Sequence, residues 1–242
     1  MDMKYKNLLK NSKAYYEDND YYEIFSVAED AEHKVAEYLN NISKKKVVLD
    51  AGCGTGKFLR VLEDNAERYI GIDLSENQLA KAKLKSSNNN SQFICSNLSK
   101  IPLEDNLVDL VVSTWVLGTI TNIDERNNAL NELKRILKHD GQIILVENAE
   151  NSEFEKIRGR DKDNRTRDYN DWILANGFML DNMINTYFEF NALSQAKKCF
   201  EVIYGNEIAS RIVNNKIEHK INIYKYSTRK QWEYIAFFSK YY

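Results

Sequence analysis

Three glycines at alternate positions, Gly52, Gly54 and Gly56, follow closely on the apolar run Val47-Val48-Leu49. Such a run reads as a buried parallel strand. Phe58, Leu59 and Leu62 then take up helical spacing. Strand, glycine turn and helix together bring bare backbone close to a nucleotide-like ligand at a helix N-terminus. Two phosphate motifs fit this stretch less well. The dinucleotide fingerprint G-x-G-x-x-G needs a glycine where Lys57 stands. The loop G-x-x-x-x-G-K-[ST], read from position 51, finds Ala51 in place of its first glycine and Phe58 in place of its magnesium-binding hydroxyl.

What remains is D-x-G-x-G-x-G, with Asp50 two residues before the first glycine. The pattern resembles the first motif of the class I S-adenosylmethionine-dependent methyltransferases. An acid suits that ligand, whose sulfonium and ammonium are cationic, and would repel a pyrophosphate. The resemblance implies S-adenosyl-L-methionine as cofactor, held by Asp50, Ala51, Gly52, Cys53, Gly54 and Gly56. The segment Arg68 to Asp73 reads as a second strand whose terminal acid lies 17 residues beyond Gly56. An acid there is placed to accept both ribose hydroxyls of a nucleoside, although an aspartate in that position also caps turns. Leu74 would flank the adenine, and Ser75 can cap a helix over Glu76 to Lys85. Similar methyltransferases often carry an adenine-binding aspartate where this chain has Asn97, beside Leu98, after a third strand over Gln92 to Cys95. Asparagine keeps an acceptor oxygen for that contact. Residues 101–109 also resemble the family's approach to a fourth strand, here Leu110 to Ser113.

Thr114 and Trp115 follow that strand. Strand ends of open parallel sheets line the ligand crevice, which makes this region the expected methyl-acceptor site. Trp115 reads equally as core or as pocket wall. Many relatives carry a histidine where Gly118 stands, so the most convenient general base is missing. A helix over Glu125 to Leu137, ended by His139-Asp140-Gly141, should precede a fifth strand over Gln142 to Val146. Tyr169 to Asn176, closed by Gly177, reads as a helix. Phe178 to Phe190 and Ile217 to Ser227 read as an antiparallel pair, separated by a helical stretch, Leu193 to Val213, that breaks at Gly205.

The N-terminal region from Asn11 to Leu39 suggests one or two helices, with a break at Asp18-Asn19-Asp20. Its plain role is a helical layer on the sheet. Its tyrosines, within Tyr15 to Phe25, are also expected to close over the donor and line the acceptor pocket. Glu153 to Asp168 is dense in both charge signs and reads as a solvated or mobile face, with an anion-binding lid as the minority reading.

The 242 residues can bury a substantial core. The expected organisation is one Rossmann-like domain over 1–242: a helical cap (1–44), a donor-binding core (45–150) and a C-terminal half (151–242) with the terminal antiparallel strands. The family resemblance implies an α/β, doubly wound, seven-stranded, mostly parallel sheet of order 3-2-1-4-5-7-6 with helices on both faces. No segment approaches an 18-residue apolar run, and Met1 to Lys13 carries no signal-peptide core. Three cysteines without framework spacing argue for a reducing compartment, hence the cytoplasm. A net charge of -2 gives no global footprint for nucleic acid, and no Asn-Pro-Pro-Tyr motif follows the fourth strand.

The expected activity is methyl transfer to a small-molecule acceptor. The alternatives are an RNA or protein methyltransferase, and a nucleotide-binding protein or NAD-dependent dehydrogenase on the same fold. A base is needed only if the acceptor must lose a proton; Tyr16, Tyr22, Glu147 and His33 are the weak candidates. His33, His139 and His219 lack metal-ligand spacing, so no metal is expected. Cys53 and Cys95 read as small packing residues. The Tyr226…Lys230 spacing of short-chain dehydrogenases falls in the wrong context.

Overall fold

The computed structural model describes residues 20–228; Tyr15, Tyr16 and the aromatic tail from Trp232 to Tyr242 lie outside them. The elements run α1 (Asp20–Ala28), α2 (Lys34–Ser43), β1 (Val47–Ala51), α3 (Leu59–Glu63), β2 (Arg68–Asp73), α4 (Glu76–Lys85), β3 (Ser91–Cys95) and β4 (Val108–Thr114). After a short 3₁₀ turn (Leu117–Thr119) come α5 (Ile123–Arg135), β5 (Leu137–Asn148), α6 (Glu153–Ile157), α7 (Arg165–Ala175), β6 (Met179–Glu189), α8 (Leu193–Tyr204), α9 (Asn206–Ser210) and β7 (Lys216–Ser227).

The sheet has seven strands in the order β3-β2-β1-β4-β5-β7-β6, as the family resemblance implied. β1 pairs in parallel with both β2 and β4, so the strand order reverses at its two sides. Such a reversal opens a crevice at the C-terminal strand ends. Each strand alternates its apolar residues between two layers. Val48, Leu110, Val112, Ile144 and Val146 face Val35 and Leu39 of α2 and Leu59 and Leu62 of α3. Leu49, Ile70, Ile72, Val111 and Leu145 face Leu130 and Leu133 of α5 and Ile173 of α7. A third cluster lies at the β6–β7 end of the sheet, where Phe25, Phe154, Phe188, Phe190 and Phe200 gather from four segments. β7 runs antiparallel to β5 and to β6, from Ile217 through Ser227 as the sequence suggested. Gly205, at φ +90, separates α8 from α9.

Three expectations need correction, and one helix break was not expected. The break expected at Asp18-Asn19-Asp20 falls at the edge of the described residues, where α1 begins at Asp20, and a further break falls at 29–33. There the Asp30 carboxylate accepts the amides of Lys34, Val35 and Ala36 and so starts α2. His139-Asp140-Gly141 lies inside β5, which begins at Leu137, because Leu137 pairs with Val108 ahead of a register shift. The charged stretch is partly core: α6 buries Phe154 and Ile157 in the third cluster. Its arginines are engaged rather than free, Arg158 with Glu155, Arg160 and Arg165 with Asp163, and Arg167 with Glu150. Cys95 is exposed, whereas Cys53 is buried as a packing residue should be.

One buried carboxylate fastens the α3 layer to the loop after α4. Glu63 accepts from the Ser86, Ser87 and Ser91 hydroxyls and from the Ser87 amide. Burial opposes its charge, but these hydrogen bonds outweigh that cost and hold its pKa below the usual value. Its stabilisation is therefore present above the unfolded carboxylate range and is lost as pH falls through the lowered folded value. Glu63→Gln should cost about 1.5–3 kcal/mol near neutrality, the range for hydrogen bonds to a charged group. Urea titrations at neutral and acidic pH should show the difference between variant and wild type shrinking on acidification.

Candidate functional site at the glycine turn

Residues 52–56 turn sharply at the tip of β1, with φ of +81 at Gly52, +54 at Gly54 and +81 at Gly56. The amides of Gly52 and Cys53 donate to the carbonyl of Ile72, which ties the turn to β2. Asp73 completes that tie. Its carboxylate accepts the Gly54 amide at 2.9 Å and the Ser75 amide at 2.8 Å. Asp73 thus caps the turn, the plainer of its two readings, and does so from the strand tip. Burial raises its pKa, against the backbone hydrogen bonds that lower it.

The three glycines differ in what surrounds them. A Cβ on Gly52 would lie 2.4 Å from Val116 Cγ2, and one on Gly56 would press on Leu59 at 3.1 Å. On Gly54 it would meet, among the described residues, only Gln78 Oε1 at 3.5 Å and Tyr22 Oη at 4.0 Å. Gly54 is thus the position where bare backbone faces space that a ligand can fill.

Asp50 is nearly fully buried and accepts the Tyr69 hydroxyl at 2.9 Å. Burial pushes its carboxyl up to about 7, offset by Tyr69 and reinforced by Asp73. A cation beside it would restore its charge. Ala51 sits fully in the core and offers only backbone. Leu74 is half-buried after Asp73, and Ser75 caps α4 through the Gln78 amide. At the tip of β3, the Ser96 amide donates to the Asp73 carbonyl, which brings Asn97 and Leu98 to the same rim. The Asn97 side-chain oxygen accepts the Ser99 amide at 2.9 Å, so it also shapes its own turn.

Thr114 and Trp115 end β4. Trp115 is held at φ +55, unusual for a bulky residue. Its ring stacks between Phe58 (6.3 Å) and His219 (6.2 Å), its Nε1 donates to Asn148 Oδ1, and Lys57 Nζ lies 4.6 Å over it. It is a wall between the glycine turn and the last strands.

The weak base candidates separate. Tyr16 lies outside the described residues. His33 is exposed in the turn before α2, where its amide closes on the Asp30 carbonyl; this turn docks on β6 through Ala31 and Tyr187. Tyr22 stands by Gly54. Glu147, at the end of β5, is buried and accepts the Tyr169 hydroxyl at 2.7 Å.

Several residues near the turn carried no signal in the sequence. α1 is fastened across the turn by Glu23, which accepts the Thr55 hydroxyl at 2.6 Å and pairs with Lys85, and by Glu29, which pairs with Lys57 at 2.8 Å. His219, fully buried, shares Asn148 with Trp115 and points Nδ1 toward Glu29 at 3.8 Å. Burial, with Lys57 and Arg158 nearby, drives its pKa well down and keeps it neutral. These partners come from α1, the turn, β5 and β7, and no local pattern links them.

The comparisons agree with this geometry. The profile of the family described as "Methyltransferase domain" matches residues 49–145. An uncharacterised protein of Methanocaldococcus jannaschii is 38% identical over 110 residues, 45% of this chain and 44% of that one. The malonyl-[acyl-carrier protein] O-methyltransferase of Buchnera aphidicola is 29% identical over 196 residues, 77% of this chain and 75% of its own. A tRNA (carboxymethyluridine(34)-5-O)-methyltransferase of Xenopus tropicalis is 29% identical over 127 residues, 52% of this chain but only 19% of its own length. The chain thus spans less than half the length of the first and third of these relatives. Among solved structures, the YcgJ protein of Bacillus subtilis shares the fold with a TM-score of 0.57 at 16% identity, over 80% of this chain and 97% of that one. No helix among the described residues is long and apolar enough to cross a membrane. The matched profile lies on β1 to β5, so residues 49–145 carry a methyltransferase domain, set within a seven-stranded sheet of the order that the sequence resemblance implied.

Proposed function

We propose that the chain transfers a methyl group from S-adenosylmethionine to a small-molecule acceptor that enters beside Trp115. The observation that carries the small-molecule reading is α1 fastened over the glycine turn by the Glu23–Thr55 and Glu29–Lys57 contacts. A crevice covered in this way favours a compact acceptor and excludes water from the reacting centre.

In this reading the backbone at Gly52 to Gly56 approaches the donor, with Gly54 contributing the open cradle. Asp73 accepts the ribose hydroxyls with the lone pairs that its backbone contacts leave. Leu74 and Leu98 flank the adenine, Asn97 meets its edge, and the buried Asp50 answers the positive charge. S-adenosylmethionine supplies an already activated methyl group when bound. The protein's task is then alignment of the acceptor and exclusion of water.

Asp73→Ala should weaken adenosylhomocysteine by about 1.5–3 kcal/mol in calorimetry, the range for hydrogen bonds to a charged group. The melting temperature should fall as well, since the Gly54 and Ser75 amides lose their acceptor. A lower melting temperature with unchanged affinity would make Asp73 a turn cap alone.

The Buchnera relative is named for a malonyl-carrier substrate and the Xenopus relative for a tRNA uridine, so the acceptor test includes both. The full chain is incubated with methyl-labelled S-adenosylmethionine and, separately, a metabolite extract, an acyl-carrier-protein pool and total tRNA. Label is expected in the metabolite extract. Label confined to tRNA or to carrier protein would replace the small-molecule reading.

A further inference from the structure

Taking methyl transfer as proposed above, we infer that Glu147, positioned by Tyr169, takes a proton from the acceptor, so that the acceptor is a hydroxyl or an amine. The argument begins at Gly118. A Cβ at that position would lie 3.0 Å from Cε1 and 3.3 Å from Cζ of Tyr169. Tyr169, brought in by α7, thus occupies the space that a larger residue at 118 would need. Its hydroxyl donates to Glu147 Oε1 at 2.7 Å.

The ring is not free to swing. It stacks on Trp172 at 5.8 Å and 13°, and the Arg126 guanidinium lies 4.9 Å over its face. Trp172 is in turn anchored through Nε1 to Asn127. Preorganisation of this kind fixes Glu147 without any motion at the moment of reaction.

Glu147 also stands in the right place. Val146 pairs with Thr114, and the Trp115 amide donates to the Val146 carbonyl. Glu147 is the next residue, level with the Trp115–Gly118 segment whose Val116 lies against Gly52. The carboxylate therefore flanks the crevice on the side away from Asp73.

The Tyr169 hydroxyl engages only one of the Glu147 carboxylate oxygens, Oε1. Oε2 makes no hydrogen bond among the described residues. Asn222, directly across the ladder from Glu147, is buried and its Oδ1 also lacks a partner among them. Two acceptor atoms without a donor match a ligand that brings N–H or O–H. To the ionised Glu147 that acts as a base, a carboxylate acceptor would bring only further acceptors and a repelling charge.

Burial pushes the Glu147 carboxyl up to about 8, offset by Tyr169 and Arg126 and reinforced by Glu29. Tyr169, Arg126, Glu29 and Tyr224 are the ionisable groups acting on it. A base of that strength suits proton transfer near neutral pH. In the balanced step, the acceptor's lone pair forms the new bond to the methyl carbon while the carbon–sulfur bond breaks, its electron pair staying on sulfur. The acceptor's proton passes to Oε2 of Glu147 and from there to solvent. No oxidant or reductant enters.

The test uses the full chain as wild type, E147Q and Y169F, with S-adenosylmethionine and four probe acceptors: a catechol, an aromatic amine, an alkyl thiol and a monocarboxylate. The catechol or the amine should be methylated. E147Q should lower kcat on it by roughly 10²–10⁴-fold, the usual contribution of a general base, with KM and adenosylhomocysteine affinity nearly unchanged. Wild-type turnover should rise as pH passes through the neutral range, and Y169F should displace that rise. In parallel, infrared difference spectra of wild type against E147Q follow the carboxyl stretch in the adenosylhomocysteine complex. They should show a group that titrates in the neutral range and moves in Y169F. Methylation of the monocarboxylate by E147Q at the wild-type rate would overturn the inference. So would a Glu147 that stays ionised throughout and ignores Y169F. Should no probe be methylated, the infrared titration decides. Failure to bind adenosylhomocysteine would instead remove the methyl-transfer reading, with the titration of Glu147 still read in the free protein.

Discussion

Replacing Gly54 by valine is expected to leave a folded protein that no longer binds S-adenosylmethionine. Gly54 holds φ +54, a region that costs an L-residue roughly 1–2 kcal/mol and a β-branched one more. The strain alone is tolerable for a domain of this size. The side chain decides the outcome, because among the described residues a Cβ here meets nothing closer than Gln78 Oε1 at 3.5 Å and so projects into the open cradle. Gly52 provides the contrast. Alanine there would place its Cβ 2.4 Å from Val116 Cγ2, inside the body of the protein. Gly52→Ala should therefore lower the melting temperature, whereas Gly54→Val should remove the calorimetric signal for the donor at nearly intact stability. Wild-type affinity in folded Gly54→Val would show that the donor lies elsewhere than at this turn.

The sequence was most legible where structure is local. Buried parallel strands are short apolar runs, and Val47-Val48-Leu49 and Arg68 to Asp73 lie where that pattern put them. The glycine turn was legible for the same reason, since its φ values are a property of four or five consecutive residues. Reading failed where a side chain reaches across the chain. The start of α2 is set by Asp30, which lies four to six positions before the amides it accepts, and no break was expected there. Glu153 to Asp168 looked solvated because its charges outnumber Phe154 and Ile157, yet two apolar residues on one helical turn suffice to anchor it. Around the site, the pairing of Glu29 with Lys57 spans 28 positions, that of Tyr169 with Glu147 spans 22, and that of His219 with Asn148 spans 71. Each is made by tertiary packing, and no periodicity or motif carries it. Glu147 could be listed as a base from its strand-end position, but its partner Tyr169 became visible only when α7 was placed against Gly118.

The tyrosine-rich N-terminal segment was expected to form a layer on the sheet and to close over the donor; within it, α1 packs one face into the core and turns another toward the glycine turn. Tyr21, Ile24, Phe25 and Ala28, at helical spacing, face the third cluster. Glu23 and Tyr22 face the glycine turn, and Glu29 follows at the helix end. Phe25 is the pivot of this arrangement, with Phe188 at 4.8 Å, Phe200 at 5.5 Å, and Phe154 and Phe190 each at 6.4 Å. A truncation through residue 25 therefore removes a core ring. Phe25→Ala isolates the effect. It should cost about 3–5 kcal/mol, the range for deleting a buried phenylalanine. That is a large share of the roughly 5–15 kcal/mol that holds a typical domain folded. Because the same helix carries Glu23 and Glu29 onto Thr55 and Lys57, the loss should not stay in the third cluster. Amide exchange at Gly52 to Gly56 should quicken and donor affinity should fall, although Phe25 touches neither. Glu23→Gln is the companion variant: it should quicken exchange at the turn with little change in overall stability, since Glu23 is itself partly exposed. A Phe25→Ala protein that loses stability while exchange at the turn and donor affinity hold steady would mean that α1 is core alone and that the crevice closes by other means.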